Sequence, residues 1–319
     1  MTRKDFFDYI TDIVKDWKDT TFSFLPQNHV PGLDDDNLTY GSGQAKKGID
    51  INTCVLFVDI RNSVQLTKEK HVKTMGKIYS VFTQCMLLAA QQEGGYVRNI
   101  IGDRVMIVFQ PDNCYTKAVN CAITINHIAK IIDKQFSGIN FKCGIGVDYG
   151  KMSTMKVGIE KKGSENDDNK GLVWVGYPAN FASRLTDCAN KEFIDIQYHI
   201  DAEFYEYHYF NNPLLGGKPN GWYRSKKVFS AEKLASSLQP SQYGESLTTS
   251  LCRNVRTIER IEVKYKYSPI LISELVYLGL AKENPDRPSI KNKQWKREDR
   301  SVSDVEFSVW GADLIWVLS

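Results

Sequence analysis

No run of apolar residues in the chain reaches the eighteen or so that a membrane span needs. The first residues mix Arg3 and Lys4 with Asp5, Asp8 and Asp12 and hold no apolar core of a secretion signal. Neither sign of charge dominates: 41 basic and 38 acidic residues give a formal charge of +3, which argues against a protein that coats nucleic acid but leaves a nucleotide ligand open. The seven cysteines (Cys54, Cys85, Cys114, Cys121, Cys143, Cys188 and Cys252) include no C-x-x-C pair, and reduced core thiols in a cytoplasmic protein are expected. The five histidines (His29, His71, His127, His199 and His208) lack ligand spacing and are read as structural. What remains is a chain of 319 residues, 42% hydrophobic, long enough for one large domain or two ordinary ones.

What is present begins with Phe6, Ile10, Ile13 and Trp17, whose spacing predicts an amphipathic helix over residues 1–19. Its polar face is as acidic as basic, so a cap on the core or a dimer contact is expected rather than a membrane anchor. Pro26, Pro31, Gly32, the Asp34-Asp35-Asp36 run, Gly41, Gly43 and Gly48 mark 26–49 as a linker. Residues 1–49 are thus an extension, and 50–319 the main domain.

Within that domain 54–58 reads as a buried strand, and Val72, Met75, Tyr79, Phe82, Met86 and Ala89 as one stripe of a long helix ended by Gly94-Gly95. Residues 96–98 and 104–109 read as a hairpin around a turn from Asn99 to Asp103, followed by a helix carrying Ala118, Ala122, Ile125, Ala129 and Ile132. Two strands, 141–147 and 155–159, are expected around a tight turn at Tyr149-Gly150. A surface loop from Lys161 to Gly171 and a helix from about Ala179 to Cys188 follow. This order predicts an α+β fold with helices on one side of a sheet.

Residues 196–268 are rich in aromatics (Phe204, Tyr205, Tyr207, Tyr209, Phe210), then carry Gly216-Gly217 and a basic stretch at Arg253, Arg256, Arg260 and Lys264. An insertion packing on the sheet is favoured over a surface that stacks nucleic-acid bases. A strand at 270–273, a short helix, a charged loop from Lys282 to Arg300 and a strand pair around Gly311 complete the chain.

The chemistry concentrates at two aspartates. Asp59 ends one apolar run and Asp103, after Gly102, opens another. If these strands are sheet neighbours the carboxylates lie some 4 Å apart, repel by about 4 kcal/mol at an intermediate dielectric, and call for Mg²⁺ or Mn²⁺ between them. Taken singly, Asp59 reads as a helix cap, Asp103 as a turn residue and Arg184 as a surface ion pair.

The joint pattern reads otherwise. Phe57-Val58-Asp59-Ile60-Arg61, Gly102-Asp103-Arg104 and the run from Trp174 to Arg184, with its Asn180-x-x-x-Arg184, resemble the catalytic domain of class III nucleotidyl cyclases in order and spacing. The likeness extends to 270–277 and to the strands around Gly311, and covers about 50–195 and 270–319, with 196–268 as an insertion. It implies a mixed, mainly antiparallel sheet covered by helices. It implies two divalent ions per site held by Asp59, Asp103 and the Ile60 carbonyl, and phosphates cradled by the amides of residues 60–64. Asn180 is then expected to orient the ribose and Arg184 to stabilise charge on the reacting phosphate. The resemblance also implies a head-to-tail homodimer, with the aspartates from one chain and Asn99, Val173, Asn180 and Arg184 from its mate.

Two positions depart from the purine enzymes of this class. Where adenylate cyclases carry Lys and Asp or Thr, and guanylate cyclases Glu and a small residue, this chain has Asn99 and Val173. Loss of those hydrogen bonds removes purine discrimination. The chain therefore looks like the pyrimidine cyclases of Pycsar antiphage systems, which make cyclic UMP or cyclic CMP for a separate effector. Asn99 and Arg98 offer donors to a pyrimidine edge, favouring UTP, and Phe57 joins the substrate-binding residues. The family's triphosphate-binding lysine near the last hairpin is absent from residues 309–313, and Lys226, Lys227 or Arg253 are candidates to replace it. An adenylate cyclase with an unusual base pocket and a catalytically inactive nucleotide-binding domain are the competing readings.

Overall fold

The computed structural model describes residues 1–317 except 42, 70–71, 137, 162–163, 209–217, 242–246 and 299–307. Expectations for His71, Tyr209, Phe210, Gly216, Gly217 and Arg300 lie outside the described residues. The chain divides into two units, Met1–Lys191 with Tyr267–Ser319, and Glu192–Lys266.

The first unit runs α1 (Arg3–Asp19), β1 (Phe22–Pro26), β2 (Lys46–Ile60), α2 (Ser63–Glu69), α3 (Val72–Gln92), β3 (Gly95–Ile101), β4 (Arg104–Phe109), α4 (Cys114–Gln135), β5 (Cys143–Lys161), β6 (Ser164–Val175) and α5 (Tyr177–Cys188). The second unit holds β7 (Glu192–Glu206), β8 (Gly221–Ser230), α6 (Ala231–Ser236), β9 (Leu238–Pro240), β10 (Leu247–Thr249) and β11 (Arg253–Lys266). The chain then returns to the first unit with β12 (Ile270–Ser273), α7 (Glu274–Glu283), α8 (Pro288–Lys291), β13 (Lys296–Arg297) and β14 (Val309–Ala312).

The first unit is built on a nine-stranded sheet of order β13-β14-β12-β5-β2-β4-β3, with β1 beside β2 and β6 beside β5. Only β1–β2 and β12–β5 pair in parallel among the described strands. Period-two alternation along β2 sorts its side chains onto two faces. Leu56, Val58 and Ile60 join Ile107, Ile145 and Ile272 beneath Ile78 and Phe82 of α3, Ala122 and Ile125 of α4, and Val276 and Leu280 of α7. Each fully buried side chain of this size contributes about 1.5–3 kcal/mol. Val55, Met106, Val108 and Met152 face the other way, against Val30 and Leu38. All seven cysteines are free thiols.

Several expectations are corrected. The stretch 26–49 is no linker: β2 starts at Lys46, and Val30, Leu38 and Tyr40 are buried. Pro26 closes strand β1 and Gly48 lies within β2, while its few apolar residues cover the outer sheet face. Lys46 is fully buried, its Nζ 2.7 Å from both Asp16 Oδ2 and the Gly41 carbonyl. That ion pair ties α1 to β2, yet no residue of α1 is buried, so α1 is not a cap on the core.

The expected turn at Tyr149-Gly150 is absent because β5 is one continuous strand, paired with β2 from Gly48 to Ile60. The loop from 161 to 171 is largely strand, with Lys161 opposite Ser164 in a β5–β6 ribbon. The turn after β3 shrinks to Gly102-Asp103, with Gly102 at φ +61°, and Asn99 lies within the strand. The charged loop after α7 holds α8, β13 and the buried Trp295. Finally, α5 packs on the sheet face opposite α3, α4 and α7, over Gly146, which is the cross-strand partner of Phe57.

The second unit forms its own antiparallel sheet, β11-β7-β8, around Ile200, Ala202, Phe204 and Phe229. Three of its arginines are paired internally: Glu203 takes Arg253 at 3.0 Å, Asp201 takes Arg224 at 3.2 Å, and Glu262 takes Arg260 at 2.9 Å.

Candidate active site

Asp59 stands at the penultimate position of β2, directly opposite Arg104, the first residue of β4, and Asp103 immediately precedes it in the hairpin turn. The strands are therefore sheet neighbours, as the metal reading requires. Burial pushes the Asp59 carboxyl up, the hydrogen bond from Arg104 opposes this, and the nearby Asp103 charge adds to it. A half-buried carboxylate beside a second carboxylate is short of cations. Among the described residues no group of three or more His, Cys, Asp or Glu is placed to hold a metal, so the candidate is this pair alone. Hard oxygen donors with surplus negative charge fit Mg²⁺ or Mn²⁺. The Ile60 side chain lies in the core, so only its backbone is available for such a role.

One cation already engages Asp59. Arg104 Nη2 donates to Asp59 Oδ2 at 2.7 Å and to Asp187 Oδ1, while its Nη1 donates to Ser183 Oγ at 2.8 Å. Burial alone lowers a guanidinium's proton affinity, but the bonds to Asp59 and Asp187 outweigh it and hold Arg104 firmly protonated. Arg61 lies alongside, donating to the Thr186 carbonyl. Its guanidinium occupies the space above Gly144, the cross-strand partner of Asp59, where any Cβ would strike it. The Arg61 amide donates to the Lys142 carbonyl at 2.8 Å, which takes it out of the expected phosphate cradle. The amides of Ile60 and of the residues from Asn62, at φ 57°, onward remain candidates for that role.

Helix α5 is pinned against β2 and β5. The Thr186 hydroxyl bonds the carbonyls of Phe57 at 3.0 Å and Ala182 at 2.8 Å, and Gly146 lies in contact with the helix backbone. Ser183 and Asp187 share the helix face toward Arg104, whereas Asn180 and Arg184 are exposed. Asn99 and Val173 are exposed too, on β3 and β6. The structure thus groups Asp59, Ile60, Asp103 and the partly buried Phe57, and leaves Asn99, Val173, Asn180 and Arg184 at the surface.

Arg98 falls at a register slip between Val97 and Asn99, and bulges of this kind re-aim side chains. Its guanidinium lies 5.1 Å from the Tyr96 ring centre, and its Nε is buried without a protein acceptor. The candidate triphosphate cations Lys226, Lys227 and Arg253 sit on β8 and β11 of the second unit, where Lys227 lies over Phe204 and Arg253 over Trp222. A lysine beside Gly311 does exist: Lys296 of β13 is its cross-strand partner, and is exposed. Proximity in sequence misses it, because β13 reaches β14 across the intervening residues 298–308.

Residues 47–205 match the family described as the adenylate and guanylate cyclase catalytic domain. A uridylate cyclase of Burkholderia cepacia is 30% identical over 193 residues, covering 57% of this chain and 79% of that protein. A uridylate cyclase of Gulbenkiania mobilis is 26% identical over 197 residues, covering 58% and 72%. Among solved structures, the adenylyl cyclase CyaB from P. aeruginosa aligns over 82% of this chain and 94% of its own, with 14% identity and a TM-score of 0.47. No helix among the described residues is long and apolar enough to cross a membrane.

Proposed function

Because the chain belongs to the adenylate and guanylate cyclase catalytic-domain family, we propose that it is a pyrimidine cyclase converting UTP, ahead of CTP, to the 3′,5′-cyclic monophosphate and pyrophosphate. The observation that carries the pyrimidine choice is the set of relatives named uridylate cyclases, at 25–30% identity. It agrees with Val173, an apolar and exposed side chain where a purine-reading partner is expected.

Asp59, Asp103 and the Ile60 carbonyl are the groups that would hold two Mg²⁺ or Mn²⁺ ions. When bound, such ions acidify the ribose 3′-hydroxyl and neutralise the triphosphate. The rest of the reaction is positioning: the 3′-oxygen must lie in line with the α-phosphorus and the pyrophosphate leaving group. Asn180 holds the ribose and Arg184 takes up charge on the reacting phosphate. Arg98, with an unpartnered Nε, and Asn99 supply donors to the uracil carbonyls. Lys296, the cross-strand partner of Gly311, is a candidate cation for the leaving pyrophosphate.

The exposure of Asn99, Val173, Asn180 and Arg184, beside the enclosure of Asp59, supports a homodimer in which these four complete the partner's site. The product is then a second messenger for a separate effector in antiphage defence, made in the cytoplasm.

The test is incubation of purified protein with each of the four nucleoside triphosphates and Mn²⁺, with products identified by mass. Cyclic UMP is expected as the main product. Cyclic AMP alone would establish a purine enzyme with an unusual pocket, and no product from any triphosphate an inactive domain. Asp59→Ala and Asp103→Ala are each expected to lower turnover by about a thousandfold or more, consistent with several kcal/mol of lost charge stabilisation, without lowering Tm.

A further inference from the structure

Arg104 contributes nothing to the reaction just described, yet it holds the metal-site carboxylate directly. Its three acceptors come from two elements: Asp59 on β2, and Ser183 and Asp187 on α5. Asp59 is well enclosed, with 16% of its side chain accessible, whereas Asp187 is 54% accessible. A guanidinium has five donors in a fixed fork, so it can release one carboxylate while keeping the others.

We propose that Arg104 is a built-in competitor of the divalent cation: the guanidinium and the metal contend for Asp59 Oδ2, and Ser183 and Asp187 retain the guanidinium when the metal takes that oxygen. The inference rests on the metal role given to Asp59 above. Local charge shows what it does. Three carboxylates (Asp59, Asp103, Asp187) face two guanidinium groups (Arg61, Arg104), leaving one net negative charge to attract two divalent ions. That is too little for tight loading of free metal. The negative charges of a triphosphate make up the difference, so metal and nucleotide load together and the free enzyme stays nearly metal-free. Arg104 thus sets the order of binding, and its link to α5 transmits occupancy of Asp59 to the helix that carries Asn180 and Arg184.

The test is Mn²⁺ binding to the full-length protein without nucleotide, followed by electron paramagnetic resonance of free Mn²⁺. Arg104→Gln is expected to tighten binding by about tenfold or more, the effect of removing one positive charge a few ångströms away at an intermediate dielectric. Asp187→Asn, at an exposed position that tolerates change, is expected to weaken binding several-fold, because the guanidinium then keeps Asp59 as its only carboxylate. In the double variant the Asp187 effect is expected to vanish, as coupling through Arg104 requires. Unchanged or weaker binding in Arg104→Gln overturns the proposal, as does an Asp187 effect of equal size in both backgrounds. Asp59→Asn separates the two readings. Mn²⁺ binding that survives it removes the metal site and both readings together, whereas its loss there with no response to Arg104→Gln removes this one alone.

Discussion

On one face of the central sheet β5 presents Ile145 and Val147 to the core beneath α3, α4 and α7; on the other it presents Gly144, Gly146 and Gly150 to Arg61 and α5. The first face is built from volume. Aliphatic side chains fill the space between layers, and such packing relaxes partly when one methyl group is lost. The second face is built from missing volume. A Cβ on Gly146 would come within 2.5 Å of the Thr186 amide nitrogen, one on Gly144 within 2.6 Å of the Ala189 carbonyl, and one on Gly150 within 2.8 Å of Pro178 Cγ. These glycines let the helix backbone settle on the strand and bring Ser183 and Asp187 to Arg104. The same strand therefore supplies stability on one side and placement on the other.

The sharpest way to break this contrast is Gly146→Val. It drives a branched side chain into the α5 backbone and is expected to cost about 3 kcal/mol or more, with loss of measurable cyclase activity. Denaturant unfolding and product formation check it, and a stable, active variant would show that the close approach is not needed.

A finer probe is Asp148, which lies on the glycine face between Gly146 and Gly150 and is 1% exposed. Burial pushes its carboxyl up to about 6, against hydrogen bonds from Ser273 and the Tyr149 amide. A carboxyl raised in the folded state stabilises the fold below its unfolded value, near 4, and that stability is lost as pH rises through about 6. Asp148→Asn is accordingly expected to gain on the native protein by up to about 3 kcal/mol between pH 4 and pH 7. Parallel pH profiles of unfolding free energy for the two proteins would refute it.

The mildest change is on the aliphatic face. Ile107→Val removes one methyl group from a fully buried position of β4 and is expected to cost about 1 kcal/mol, with activity retained. A larger loss of activity than of stability would mean that the two faces are less independent than their packing implies.

The same contrast explains what sequence alone reveals. The strand ending at Asp59, the long helix through Phe82 and the helix through Ile125 are legible because their burial follows a local period of two or of 3.6. Asp59, Asp103, Asn180 and Arg184 stand out only through their resemblance, in order and spacing, to class III cyclases, since each taken singly reads as a cap, a turn or a surface residue. Gly150 is misread as a turn because glycine serves bends and close approaches alike, and no local pattern tells them apart. Arg104 is missed as the partner of Asp59 because its other acceptors lie 79 and 83 residues away, brought near only by the packing of α5 on β5. The linker reading of 26–49 fails for a related reason: Val30 and Leu38 are sparse apolar residues among turn formers, and only the sheet surface they cover makes them core.

The strand order also has a consequence in time. During synthesis, β2 finds β4 and β5 among the first 161 residues, but the edge of β5 at Ile145–Val147 must wait for β12, which begins only at Ile270. Between them the ribosome makes the 75 residues of the second unit, about 4–15 s of work at the usual rates of elongation. For that interval the β5 edge turned away from β2 stands unpaired, and the nascent chain is then most open to wrong partners. A second unit that folds around its own core within that window removes its apolar residues from competition for the edge before the rightful strand emerges.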